Sequence, residues 1–120
     1  MGWDAHSSAE FDYEKGQFVN TAHQEAFLLA VHEVKTLTGT YDGYLKQGGL
    51  DCSDSCKMLE LATGESCYAK DAWSAEKVKE LNDKADWRIY YGGIDAWAYW
   101  SARKFLETCA ELSLSITFSW

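Results

Sequence analysis

From Leu112 to Trp120, large apolar and small hydroxyl residues alternate without a fault: Leu112, Leu114, Ile116, Phe118 and Trp120 against Ser113, Ser115, Thr117 and Ser119. A period of two places every large side chain on one face, the mark of a half-buried β-strand. The backbone of such a strand needs a hydrogen-bonding partner. The other end of the chain offers one, since Trp3 and Ala5 alternate with Asp4 and His6. Phe11 and Tyr13 predict a further short strand, joined to the first by the polar Ser7-Ser8 turn. A small antiparallel sheet built from both termini is expected.

The middle of the chain changes to a helical period. Thr21-Ala22-His23-Gln24 has the form of a capping box. It opens a run in which Phe27, Ala30, Val31, Val34 and Leu37 make one stripe, with Gly39 as the carboxyl cap. Asp51 or Ser53 caps a shorter helix that turns Cys52, Cys56, Met58 and Leu59 inward and ends at Thr63-Gly64. Ser74 caps a third, with Glu76 in its first turn and Val78, Leu81 and Ala85 inward. Gly92-Gly93 breaks the chain before a long last helix, from about Ile94 to Glu111. Its predicted core stripe is Ile94, Trp97, Ala98, Ala102, Phe105, Leu106 and Cys109. The expected fold is therefore α+β, with about four helices packed on a small antiparallel sheet formed by strands near both termini. A length of 120 residues and an apolar share of 47% fit one folded domain spanning 1–120, without linker or repeat.

Charge narrows the function classes. Eleven Lys and Arg against nineteen Asp and Glu give a net charge of −8. Affinity for a phosphate backbone comes from clustered cations, so direct nucleic-acid binding is not expected, nor is adhesion to an anionic membrane. The same charge suits a basic partner, such as a nucleic-acid-handling protein. Residues 1–8 carry neither the basic leader nor the apolar core of a secretory signal, and no apolar run approaches the ~20 residues that cross a bilayer. A cytoplasmic location is expected, and with it four free cysteines (Cys52, Cys56, Cys67 and Cys109).

Candidate chemistry is sparse. Cys52 and Cys56 have the spacing of half a zinc site, but Cys67 and Cys109 stand alone with no His near either. A calcium-like loop beginning at Asp51 fails at Cys56 and Ala62. Asp4 and His6 share a strand face in a geometry that could orient an imidazole. No Gly-rich phosphate loop occurs, and no cofactor or metal is expected.

The unusual segment runs from Trp87 to Trp100, with Arg103 and Lys104 one helical turn on. Together these carry Trp87, Arg88, Tyr90, Tyr91, Tyr99, Trp100 and Arg103, more rings than one helix stripe buries. Helical rotation of about 100° per residue assigns Trp97 to the core and turns Tyr99 and Arg103 away, with Trp100 at the margin. Large aromatics beside cations compose binding hot spots and also stack on nucleobases. These seven residues are the predicted binding site. In size, acidity, lack of Pro and lack of catalytic motifs, the chain resembles small accessory proteins of phages and mobile elements. That resemblance implies an inhibitor that occupies the surface of a host defence or nucleic-acid-handling protein. The alternatives are a protein that sequesters a nucleotide-like small molecule, and a small enzyme. Exposed aromatics also leave a homodimer open.

Overall fold

The computed structural model describes residues 4–41, 43–51, 53–67, 72–89 and 96–119. Its elements run β1 (Asp4–Ser7), β2 (Phe11–Asp12), β3 (Gln17–Phe18), α1 (Thr21–Thr38), β4 (Gly49–Leu50), α2 (Ser53–Thr63), α3 (Ala75–Lys84), α4 (Ala96–Glu111) and β5 (Ile116–Ser119). Short 3-10 turns lie at Leu45–Gln47 and Trp87–Ile89. The fold is α+β, four helices on a small antiparallel sheet.

The two ends of the chain meet as the alternation predicts. β1 runs antiparallel to β5, with Ala5 opposite Phe118 and Ser7 opposite Ile116. Ala5 and Ile116 are fully buried while His6, Thr117 and Ser119 face solvent. The period of two therefore sets the inward face. The strand is shorter than its pattern, however. Ser113 takes a left-handed φ of 58°, and the Leu114 N–H donates to the Cys109 carbonyl at 2.9 Å, closing the end of α4. Leu114 is buried all the same. The first half of the alternation thus seals a helix terminus instead of lining a strand. Trp3 and Trp120 lie outside the described residues.

The sheet also has a strand the pattern does not predict. Its order is β4-β1-β5, with His6 opposite Gly49. A Cβ on Gly49 would stand 2.7 Å from the Ala5 carbonyl oxygen, so only glycine lets these backbones approach. Phe11, by contrast, does not join this sheet. β2 and β3 form a separate two-stranded hairpin, with Phe11 opposite Phe18 and Asp12 opposite Gln17.

The helices begin and end close to their signals, with one exchange of roles. Asn20, not Thr21, caps α1: its Oδ1 accepts the His23 N–H at 3.1 Å. Gln24, expected to close a capping box, accepts the Phe18 N–H at 2.7 Å and ties the hairpin to α1. Gly39 closes α1 in the left-handed region, and Ser74 Oγ accepts the Lys77 N–H at the start of α3. Phe27, Ala30 and Val34 of the predicted stripe are buried, but Leu37 is 48% exposed. In α2, Cys56, Met58 and Leu59 are fully buried; Cys52 lies outside the described residues.

α4 organises the rest. It packs against α1, α2 and α3, and against β4. Ala98, Ala102, Phe105, Leu106 and Cys109 are buried as expected, with Tyr99, Ser101, Thr108 and Ala110 in addition. A helix with neighbours on three sides buries far more than one stripe. Trp97 is only half-buried. Ile94 lies outside the described residues.

Candidate functional site

The predicted aromatic site is a packed cluster more than an open face. Tyr99, expected to point outward, is 9% exposed. Its hydroxyl donates to the Trp87 carbonyl at 2.7 Å and accepts from Arg103 Nη1 at 3.0 Å. Its ring meets Trp87 and Trp100 edge-on, with centroids 5.9 and 5.0 Å away. The Arg103 guanidinium lies over both indoles, 5.1 Å from Trp100 and 5.9 Å from Trp87. Lys104 covers Trp100 as well, at 5.9 Å, while it pairs with Glu33 at 2.6 Å. Arg103 Nε and Glu107 Oε1 stand 3.7 Å apart, near enough for charge pairing and too far for a hydrogen bond. The physical reason is local: the turn at Trp87 and the side chains of Trp100 and Arg103 close over the Tyr99 ring.

The other predicted residues divide. Arg88 is exposed and held by Asp86 through two hydrogen bonds of 3.0 and 3.2 Å. That pairing keeps the Asp86 carboxyl below its usual value, the Arg88 hydrogen bond being the main cause. Trp87 is half-buried in a 3-10 turn. Tyr90 and Tyr91 lie outside the described residues. The structure brings Trp87, Tyr99, Trp100 and Arg103 together, with Arg88 at their edge.

The cysteines and the acid–base pair offer little chemistry. Burial pushes the Cys67 and Cys109 thiols well above their ordinary value, and Cys56 and Glu60 push Cys67 further. Nucleophilic attack needs the thiolate, which such burial disfavours. Among the described residues no three His, Cys, Asp or Glu side chains cluster as metal ligands. His6 Nε2 lies 3.5 Å from Ser119 Oγ on the exposed sheet face, at the outer limit of a hydrogen bond.

A different surface stands out. Tyr13, expected in a strand, occupies the hairpin turn and is 75% exposed. Asp12 Oδ1 accepts the N–H groups of Glu14 and Lys15, and the Gly16 N–H bonds the Asp12 carbonyl at a left-handed φ of 68°. This turn fixes where the tyrosine leaves the backbone. Its ring is joined to the core by other rings. Phe27 in the core stacks on Phe18 at 4.9 Å, Phe18 meets Phe11 edge-on at 5.0 Å, and Phe11 meets Tyr13 at 4.9 Å. A ladder of four rings therefore runs from the core into solvent.

Tyr13 also stands between two adjoining clefts of about 230 and 360 Å3. One is closed by Tyr44, His6 and Gln47, the other by Leu28, Phe11 and Lys46. Leu28 is 51% exposed and Tyr44 44%. Gln47 lines both clefts. Among the described residues no carboxylate lines either cleft. The signal for this surface was present in Asp12-Tyr13-Glu14-Lys15-Gly16, whose leading Asp and closing Gly mark a turn and put Tyr13 at its tip.

Comparison with protein-family models, with curated proteins and with solved structures finds no match for this chain.

Proposed function

We propose that this chain is a non-enzymatic accessory protein that works by occupying the surface of a partner protein, and that it does so through the face centred on Tyr13. The observation that carries this reading is the ring ladder. An exposed large side chain normally loses freedom when a partner covers it, at a cost of about 0.5–1.5 kcal/mol for each immobilised side chain. The Asp12 turn orders the backbone that carries Tyr13 and Phe11 meets one edge of its ring, so part of that loss is already met before binding. Rigid aromatic anchors beside apolar clefts are what interface hot spots are made of.

The clefts also favour a protein over a small molecule. A small-molecule site surrounds most of its ligand, whereas here the shared wall, Tyr13, is itself mostly in water. Each cleft suits one side chain of a larger partner. The Trp100 cluster is a weaker platform for a nucleobase, because Arg103 and Lys104 already lie over its ring.

The test is a photo-crosslinking residue at Gln47, between the clefts, expressed in the native host. A single dominant crosslinked protein is expected from Gln47, and none from the same residue placed at exposed Lys79 on α3. Equal products from both positions, or none from Gln47, would overturn the assignment.

A further inference from the structure

The chemistry of the partner follows from what surrounds the clefts, and this step rests on the reading above. The two clefts are lined by aromatic, aliphatic and amide groups, with Lys46 and His6 as their polar margin. Their surroundings have the opposite character. The first 25 residues hold five carboxylates (Asp4, Glu10, Asp12, Glu14 and Glu25) against the single cation Lys15. Three of the five are exposed and neighbour, along the chain or by one helical turn, residues that line the clefts, as Lys15 does. Glu14 follows Tyr13 in the turn, Glu10 precedes Phe11, and Glu25 lies one helical turn before Leu28 on the exposed side of α1. Asp12, by contrast, is committed to the turn. Among the described residues no ion pair engages Glu10, Glu14 or Glu25. Lys104 pairs with Glu33, Lys77 with Glu65 and Lys84 with Glu80, all on other parts of the molecule.

A cleft walled by Tyr13, Phe11 and Leu28, with more exposed carboxylates than cations around it, defines its complement. We propose that the Tyr13 face docks a basic segment of a partner protein, in which an apolar side chain enters the cleft between Tyr13 and Leu28 and flanking Lys or Arg residues meet Glu14 and Glu25. The net charge of −8 acts in the same sense at longer range, speeding the approach of a basic partner and repelling acidic ones. Lys46, exposed at the margin of the larger cleft, opposes a cation beside it and so directs the basic residues toward Glu14 and Glu25. The rings of Tyr13 and Phe11 with Leu28 supply the affinity, and the surrounding charges select the sequence.

The experiment uses the intact protein and three short fluorescein-labelled peptides read by anisotropy at low and high salt. One has a central leucine flanked by lysine and arginine, the second replaces the leucine by glycine, and the third replaces the basic residues by glutamate. The first is expected to bind about tenfold more tightly than either of the others. Tyr13→Ala and, separately, Leu28→Gln should each weaken it about tenfold at both salt concentrations. Glu14→Gln with Glu25→Gln should weaken it at low salt only, because exposed charges are screened. All these side chains are exposed, so each variant should melt with the parent.

Equal binding of the glycine peptide would reduce the effect to bulk charge and overturn the proposal. Preference for the glutamate peptide would make Lys46 the anchor of an anionic ligand and overturn it too. Dimerisation in sedimentation that Tyr13→Ala abolishes would give the face to a second copy of the chain. If no peptide discriminates while the Gln47 crosslink still depends on Tyr13, the basic partner falls and the binding face stands. If Tyr13→Ala alters neither, both fall.

Discussion

Removing one oxygen from Tyr99 separates a packed cluster from an open binding face. In Tyr99→Phe the ring keeps its edge contacts to Trp87 and Trp100, but two hydrogen bonds disappear. The Trp87 carbonyl loses a 2.7 Å donor, and Arg103 Nη1 loses its acceptor at 3.0 Å. A buried polar group left without its partner costs about 1–3 kcal/mol. Arg103 is a third exposed and can turn its free N–H to water, which places the total nearer the lower end. The expected loss is about 1–2 kcal/mol, a fall in Tm of about 3–8 °C for a domain of this size. Urea denaturation should show a lower midpoint with an unchanged slope, the sign of altered stability without altered compactness. Tyr99→Ala adds a cavity and should cost about 3–5 kcal/mol. Combining Tyr99→Phe with Arg103→Met should lose less than the sum of the two changes, since both remove the same bond. If Tyr99→Phe and Tyr99→Ala both melt within a degree or so of the parent, the ring is a surface group and the reasoning fails.

Two further outcomes follow from the packing. Ending the chain after Ser115 removes β5, which carries fully buried Ile116 and the pairing to both β1 and Trp73, and should abolish the cooperative thermal transition seen by circular dichroism. Burial raises the Cys67 and Cys109 thiols above their ordinary value of 9.0, so the fold gains while folded and unfolded states both keep the proton and loses that gain as pH rises past the unfolded value. Urea midpoints should fall above about pH 9, by up to ~1.4 kcal/mol per pH unit for each thiol, and Cys109→Ala should make the fall shallower; a profile identical in the variant would refute the contribution.

Much of the fold was legible because the signals were local. The period of two at Ile116–Ser119, the Ser74 cap and Gly39 each act within one turn or one strand of themselves. Where the reading failed, the deciding interaction was distant in sequence. β4 exists because Gly49 lets the Ala5 backbone come close, and nothing in Gly48-Gly49-Leu50 itself demands a strand. Likewise Leu112 and Leu114 continue a strand pattern, yet the α4 terminus recruits them, through a Ser113 that accepts a left-handed conformation.

The candidate site shows the same limit more sharply. Helical periodicity says which residues share a side; it does not say how many sides are covered. α4 lies between three other helices, and the turn at Trp87 closes over Tyr99, so that ring is buried although it is off the main stripe. α1 packs mainly on one side, so Leu28 and Leu29 remain in water although the segment is as apolar as any in the chain. Richness in aromatic residues therefore pointed to a part of the molecule that is packed more than open. What marks the Tyr13 face is the combination of an exposed ring, a turn that fixes its backbone and a chain of rings that joins it to the core. Turn chemistry was open to the sequence in Asp12 and Gly16. The ladder was not, because Phe11, Phe18 and Phe27 come together only when the hairpin closes and Gln24 ties it to α1. A large exposed ring joined to the core by other rings is more than solubility requires, since an exposed tyrosine without a partner adds little to stability. That imbalance is the physical reason to look for the partner at Tyr13 before Trp100.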